Sequence, residues 1–202
     1  LSLSGIKKIF KTPVRGDGLS PLLSLIRARK QKILWLADES CDVVIDLTIA
    51  KFLADLGHAV IFAVKEAPFF KKVCLADTRT DPVLVKILET AHFIHEKTIS
   101  KNNLVKLLKH DKSIYVVSDG TRETLNLLLA STTFSRIFKE VDCVISRGKS
   151  QKKRLIDSHF RFTQNIINIS LDKKTLMITY KPKHPSFIKF SHKDLEEKAN
   201  QI

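Results

Sequence analysis

The stretch Ile33-Leu-Trp-Leu-Ala37 and the run Ala59-Val-Ile-Phe-Ala-Val64 decide the fold of this chain. Each is a dense apolar run that is too short for the roughly 20 residues of a membrane span and lacks the polar alternation of a surface strand. Residues 43–56 lie between them with apolar residues at helical spacing, and Gly57 follows as a helix stop. This order is typical of buried parallel strands joined by a helical crossover.

The same alternation of strands and helices continues along the chain. The predicted strands cover residues 93–96, 113–118, 142–146, 165–171 and 175–180, and the predicted helices cover residues 83–90, 102–108 and 123–139, the last with a break near residues 131–133 left open. The last two strands are separated by Asp172-Lys173-Lys174 and predict a hairpin. The whole pattern predicts an α/β fold, a three-layer, doubly wound, mostly parallel sheet of Rossmann-like type with a C-terminal hairpin.

The net charge of +14 is concentrated at the two ends of the chain. Residues 1–30 hold seven Lys and Arg against one Asp, residues 147–202 hold thirteen against five acidic residues, and residues 31–146 hold fifteen of each sign. We therefore expect a basic N-terminal helical segment over residues 1–30, an α/β metal-binding domain over residues 31–181 and a basic C-terminal tail over residues 182–202. A phosphate-attracting collar and an ordinary lysine-rich surface both explain the basic ends, and the ordinary surface is favoured.

Composition disfavours several classes of protein. With no transmembrane-length run and no signal-peptide core, the chain is expected to be soluble, and its few, widely spaced cysteines fit the reducing cytoplasm. Three widely spaced cysteines without a CxxC pair argue against a disulfide framework and a structural zinc site. Dinucleotide, P-loop and HExxH motifs are absent, as are the signatures of nucleic-acid-binding modules, so nucleic acid is a less favoured partner. The sequence does not specify an oligomeric state.

Acidic residues follow the first two predicted strands, at the edge where an α/β sheet gathers its ligands. Asp38-Glu39-Ser40-Cys41-Asp42 comes after the first strand, and Asp46 lies one helical turn beyond Asp42. Like charges at this spacing repel by a few tenths of a kcal/mol, which a bound cation would relieve. Helix capping explains one or two of these residues without a metal. Asp77 follows the second strong strand, and a set of carboxylates favours Mg²⁺ or Mn²⁺ over zinc.

Two other strand ends predict contacts with an anion. In Ser118-Asp-Gly-Thr121, small hydroxyl residues and the backbone N–H groups of a helix start would hold a phosphate. An ordinary turn capped by Asp119 or Thr121 explains the same residues equally well. In Arg147-Gly-Lys-Ser150, a guanidinium beside a glycine turn suits a pair of phosphate oxygens.

Three of these segments, in this order, resemble the damage-control phosphatase family, whose metal-binding α/β domain was long classed as a domain of unknown function. Ile33-Leu-Trp-Leu-Ala-Asp38, with residues 39–46, is similar to the family's strand ending in Asp-Asn-Ala-Gly-Glu and a later Asp. Residues 64–77 resemble its Gly-Pro loop and Thr-x-x-Asp segment. Val141-Asp-Cys-Val-Ile-Ser-Arg-Gly148 resembles its Ala-Asp-x-Val-Ile-x-Lys-Gly segment. The resemblance covers residues 22–170.

The resemblance implies a metal-dependent phosphatase, a hydrolase acting on small phosphate monoesters such as sugar phosphates or related metabolites. Asp38, Glu39 and Asp77 would hold a divalent metal, Mn²⁺ first, with Co²⁺, Ni²⁺ and Mg²⁺ as alternatives. The ion would polarise the phosphoryl oxygen and supply a hydroxide. Arg147 would stabilise charge on the equatorial oxygens, so Asp38, Asp77 and Arg147 are the implied catalytic residues. The other predicted site residues are Ser118, Gly120 and Thr121 for phosphate, and Asp42 and Asp46 as carboxylates behind the metal ligands.

Departures from the family pattern support an alternative. Glu39 stands where the family has Asn and adds a negative charge beside the phosphate. Ser40-Cys41 replaces Ala-Gly, Asp42 replaces Glu and Lys71-Lys72 replaces Asn-Asp. Arg147 keeps the charge of the family's Lys but not its shape. The alternative is a catalytically degenerate member that binds a phosphometabolite, a nucleic acid or a protein; the active phosphatase is the first hypothesis.

Overall fold

The computed structural model describes residues 12–28, 30–37, 42–109 and 113–185, and within them eight strands form one sheet. The strands are β1 (Val14–Arg15), β2 (Lys32–Leu36), β3 (Ala59–Val64), β4 (His92–Ile94), β5 (Ile114–Ser118), β6 (Cys143–Arg147), β7 (Asn165–Asp172) and β8 (Thr175–Lys181). Their order across the sheet is β1-β8-β7-β6-β2-β3-β5-β4. All neighbours are parallel except β7 and β8, which form an antiparallel hairpin. The predicted α/β fold, with its mostly parallel sheet and C-terminal hairpin, is confirmed.

The central strands are apolar throughout because both faces of the sheet are covered. All six residues of β3 are buried. Along β2, Leu34 and Leu36 pack into the core on one face, while Ile33 and Trp35 pack into the core on the other. A parallel strand in this position requires a continuous apolar run, which is the pattern that predicted it.

Helices cover both faces of the sheet. Among the described residues they are α1 (Leu19–Arg27), α2 (Val43–Asp55), α3 (Asp77–Thr80), α4 (Pro82–Ile87), α5 (Lys101–Leu107), α6 (Thr132–Glu140) and α7 (Gly148–Gln151), with a π-helical segment over Lys152–Ile156. Buried residues of α1, α2 and α4 pack on one face, and those of α5 and α6 pack on the other. No helix in these ranges combines the length and apolar character of a membrane span.

Local chemistry sets the limits of these helices. Gly57, with a φ of 100°, follows α2, and its N–H donates to the carbonyl oxygen of Ala54 at 2.9 Å. Pro82 occupies the first turn of α4, and the Asp81 carboxylate caps that helix by accepting from the backbone N–H of Val83 at 2.8 Å. The helix predicted over residues 43–56 is therefore confirmed to within one residue.

The N-terminal part of the chain belongs to the same sheet. Within residues 1–30, α1 provides a helix and β1 adds a short parallel strand, with Val14 opposite Leu176 of β8. The three-part division of the chain stays a prediction. Residues 1–11 and 186–202, which hold much of the two basic ends, lie outside the described residues.

The helix predicted over residues 123–139 is wrong in its first half. Only α6 is helical there, and residues 120–131 form turns and loop. The two ends of this loop meet, because the Ser131 N–H donates to the carbonyl oxygen of Asp119 at 3.0 Å. Gly120 has a φ of 77°, and a Cβ at this residue would lie 2.6 Å from that of Ser131. The apolar run that mimicked a helix includes Leu128, which is 82% exposed.

Leu104 and Leu128 provide a matched test of where the core lies. Leu104 is fully buried under the sheet, so Leu104→Ala should lower the free energy of unfolding by about 3 kcal/mol through lost burial and a cavity. Leu128→Ala should change it by less than about 0.5 kcal/mol. Urea titration followed by circular dichroism measures both, and equal effects of the two substitutions would contradict this packing.

Candidate functional site

β2 and β6 are neighbours in the sheet, but the chain leaves them in opposite directions. After β2 the next strand is β3 on one side, and after β6 it is β7 on the other. Open α/β sheets bind ligands at such a switch point, beyond the carboxyl ends of the strands. Arg147 ends β6 there, and Ala37 follows β2.

The guanidinium of Arg147 is held by two carboxylates near the start of α2. Its Nη2 donates to Oδ2 of Asp42 at 3.1 Å, and its Nη1 donates to Oδ1 of Asp46. The Asp46 side chain is fully buried, whereas that of Asp42 is 43% exposed and that of Arg147 is 24% exposed. The structure thus places an arginine side chain between the two carboxylates for which the sequence suggested a relieving cation.

Asp46 and Arg147 depend on each other electrostatically. Burial raises the pKa of the Asp46 carboxyl above its ordinary value, and the charge and hydrogen bond of Arg147 oppose that rise. The indole N–H of Trp35 also opposes the rise in the Asp46 pKa, more weakly, although it forms no hydrogen bond with the carboxylate. Trp35 Nε1 and Asp46 Oδ2 have no hydrogen-bond partner among the described residues. Removing Arg147 would leave a buried carboxylate without its counter-ion.

Asp77 begins α3 and lies close to the end of β3. One of its oxygens, Oδ2, accepts from the backbone N–H of Cys74 at 2.8 Å, which orients the carboxylate. The segment before Asp77 is bound to Lys65, the residue that follows β3. The Lys65 N–H donates to the carbonyl oxygen of Val73, and the Leu75 N–H donates to the carbonyl oxygen of Lys65. Asp77 is therefore carried at the same edge of the sheet as Arg147, with β2 between β3 and β6.

The predicted metal ligands Asp38 and Glu39 lie outside the described residues. Within the described ranges, no three His, Cys, Asp or Glu side chains converge as a metal-binding group. Asp77 contributes carboxylate oxygen, the donor that Mg²⁺ and Mn²⁺ prefer. A divalent-cation site at this edge stays a prediction, and Asp38 and Glu39 would have to complete its donor set.

Sequence reasoning missed a buried lysine beside this edge. Lys65, which directly follows β3, is 6% exposed, and its Nζ donates to Asp119 Oδ2 at 2.5 Å and to Thr121 Oγ1 at 2.9 Å. The Thr121 hydroxyl donates in turn to Asp119 Oδ1 at 2.9 Å. The available signal was a lysine placed directly after a wholly apolar strand, where a buried charge needs a partner from another strand end.

The predicted phosphate contacts Ser118, Gly120 and Thr121 come together at the end of β5, but they are engaged with one another and with Asp119. The Gly120 N–H donates to Ser118 Oγ at 2.9 Å, and the Thr121 N–H donates to Asp119 Oδ1 at 2.8 Å. The helix start expected at this turn is absent, because α6 begins only at Thr132. A cavity of about 240 Å³ borders the turn, lined in part by Ser118, Gly120 and Arg122.

A larger cavity of about 1080 Å³ is lined by Phe134, Phe138 and Phe162 together with residues that precede β6 and β7, away from the carboxyl ends of the strands.

Burial raises the pKa of the Cys143 thiol to about 12, with Asp142 adding to the rise, and burial also raises the pKa of the Cys74 thiol. Neither thiol is therefore poised as a nucleophile at neutral pH.

Comparison with known proteins identifies similar sequences and folds. A family model described as the damage-control phosphatase ARMT1-like domain matches residues 2–185. No curated protein matches the chain. A crystal structure of a DUF89 family protein from Pyrococcus horikoshii has a TM-score of 0.60 and 18% sequence identity, and the match covers 86% of this chain and 55% of that chain. At this identity the likeness concerns the fold.

The buried pair of Lys65 and Asp119 should be essential for stability. Lys65→Met leaves the Asp119 charge buried and unpaired, so we expect a loss of about 3–5 kcal/mol in the free energy of unfolding. As a control, Lys149→Met breaks an exposed pair with Asp172 and should cost at most about 1 kcal/mol. Urea unfolding distinguishes the two. Adding Asp119→Asn to Lys65→Met should restore part of the loss, and no restoration would contradict the unpaired-charge explanation.

Proposed function

Because the chain belongs to the damage-control phosphatase ARMT1-like domain family, we propose that it is an active, divalent-metal-dependent phosphatase for small phosphate monoesters, such as a sugar phosphate or a related metabolite, in the cytoplasm. The family is of phosphatase type, which supports a hydrolase. The observation that carries the proposal is the position of Arg147 and Asp77. Arg147 ends β6 and Asp77 is held beside the end of β3, the two strands on either side of β2, and β2 leads along the chain into Asp38 and Glu39.

In this proposal Asp38, Glu39 and Asp77 hold the cation, with Mn²⁺ favoured and Co²⁺, Ni²⁺ or Mg²⁺ as alternatives. Such an ion, when bound, withdraws charge from the phosphoryl oxygens and activates water. The hydrogen bond from the Cys74 N–H fixes one oxygen of Asp77 and so orients the carboxylate. Glu39, where the family has a neutral Asn, adds a negative charge that holds the cation and repels the phosphate.

Arg147 is the proposed phosphate-binding residue of the site. Its guanidinium is always charged and offers several N–H donors in one plane, which suits the equatorial oxygens of a phosphoryl group in the transition state. Asp46 fixes it from the buried side. Ser118, Gly120 and Thr121 have a weaker proposed role, because the N–H groups of Gly120 and Thr121 would first have to leave their present acceptors.

Phosphate release from p-nitrophenyl phosphate and a panel of sugar phosphates tests the activity. We expect turnover with Mn²⁺, Co²⁺, Ni²⁺ or Mg²⁺ and none after chelation. Asp38→Ala, Asp77→Ala and Arg147→Ala should each lower kcat/KM by about 100-fold or more, as expected for groups that stabilise transition-state charge. Glu89→Ala, which removes an exposed carboxylate that precedes β4 at the opposite edge of the sheet, serves as the matched control. A folded protein with no turnover with any metal would favour the degenerate binding module.

Glu39→Asn restores the residue found in the family. Since it removes one negative charge beside the incoming phosphate, we expect KM for p-nitrophenyl phosphate to fall about three- to tenfold at low salt. The concentration of Mn²⁺ needed for half-maximal activity should rise at the same time, because one carboxylate is lost from the ligand set. A titration of substrate and of metal measures both. An unchanged metal requirement would contradict the placement of Glu39 among the ligands.

A further inference from the structure

We propose that Asp42 competes with the substrate phosphate for Arg147, and that Asp46 is the permanent counter-ion that positions the same guanidinium. The inference rests on the proposed function, because it takes Arg147 as the phosphate-binding group. It deepens that proposal by adding a built-in competitor, which sets how tightly the site binds phosphate.

The two carboxylates differ in burial, and this difference assigns their roles. Asp46 is fully buried on α2, while 43% of the Asp42 side chain is exposed. A ligand that arrives from solvent therefore meets the Asp42 side of the guanidinium. The bond available for exchange is the one from Arg147 Nη2 to Asp42 Oδ2, which is 3.1 Å long.

The cost of exchange is also unequal for the two carboxylates. Asp42 can regain water when it releases Nη2, so breaking this partly exposed pair costs little. Releasing Asp46 would leave a charge in the interior, and burial already raises the pKa of that carboxyl. Phosphate is therefore expected to replace Asp42 and to leave the bond between Arg147 and Asp46 in place.

The negative charge of Asp42 weakens the binding of phosphate to this site. The side chains of Arg147, Asp42 and Asp46 together carry a net charge of −1, so these three groups taken together repel an incoming phosphate. When phosphate takes the place of Asp42, Nη2 donates to a phosphate oxygen instead of the carboxylate, and no covalent bond changes. Removing the charge of Asp42 should therefore strengthen phosphate binding. Removing a residue that makes a favourable contact with phosphate would weaken it instead.

Calorimetric titration of the full chain with inorganic phosphate, with and without Mn²⁺, tests the inference. Asp42→Asn should tighten phosphate binding about three- to tenfold, the effect of relieving one charged hydrogen-bond competitor. Glu89→Gln removes one exposed charge that precedes β4, at the opposite edge of the sheet, and controls for net charge; it should change binding by less than twofold. Asp42→Ser is a second variant if Asp42→Asn alters the melting temperature.

The gain must depend on Arg147. In the double variant Asp42→Asn with Arg147→Ala, phosphate binding should be as weak as in Arg147→Ala alone. Asp46→Asn should weaken phosphate binding, since the guanidinium loses its fixed partner. In turnover, Asp42→Asn should lower KM for p-nitrophenyl phosphate and strengthen inhibition by phosphate, with kcat changed less than KM.

The two proposals can fail separately. Unchanged or weaker phosphate binding in Asp42→Asn, or a gain that persists without Arg147, overturns the competition even if the wild-type protein is an active phosphatase. Absence of turnover in every variant, together with an Arg147-dependent gain in Asp42→Asn, overturns the catalytic proposal and supports the competition.

Discussion

Burial of the central strands on both faces is the constraint on which the rest of this molecule depends. Because β2, β3 and β6 are covered by helices on each side, their interiors exclude charged side chains, which appear only at the first residue of β2 and the last residue of β6. The buried side chains of Asn168 and Ser146, near the end of β6, are hydrogen-bonded to each other, while Asn168 Oδ1 has no hydrogen-bond partner among the described residues. Asn168 Nδ2 donates to Ser146 Oγ at 2.9 Å and to the Gly148 carbonyl oxygen at 3.2 Å. These hydrogen bonds fix the turn that follows Arg147, and thus the backbone position from which its proposed phosphate-binding side chain extends.

The parts of the structure that depend on local pattern were predictable, and the parts that depend on distant contacts were not. The runs that became β2 and β3 are dense in apolar residues because they are central strands. The loop before α6 was wrongly predicted to be helical. Its leucines have a helical spacing, but the contact between Gly120 and Ser131 holds the backbone in a loop. Two-residue β1 is exposed and has no periodicity to detect.

The candidate site shows the same division. Arg147 ends β6 and Asp77 lies beside the end of β3, and the apolar strands that precede them in the sequence made both positions in the fold predictable. The partners of Arg147 are 101 and 105 residues away in the chain, and those of Lys65 are 54 and 56 residues away, so no local pattern reveals either cluster. As a result, the local pairing of these charges, and not the overall charge of +14, determines what an anion meets at this edge of the sheet.

The short strand β1 changes how the sheet ends. Residues 13–18 occupy hydrogen-bonding groups along β8: the Leu176 N–H donates to the Pro13 carbonyl oxygen, the Gly18 N–H donates to that of Ile178, and the Tyr180 N–H donates to Asp17. The approach is so close that a Cβ at Gly16 would lie 2.0 Å from the Ile178 carbonyl oxygen. A seven-residue strand with unpaired backbone is a template for a strand from another molecule. These few residues therefore protect the hairpin against edge-to-edge self-association, a task separate from any chemistry at the carboxyl ends of the central strands.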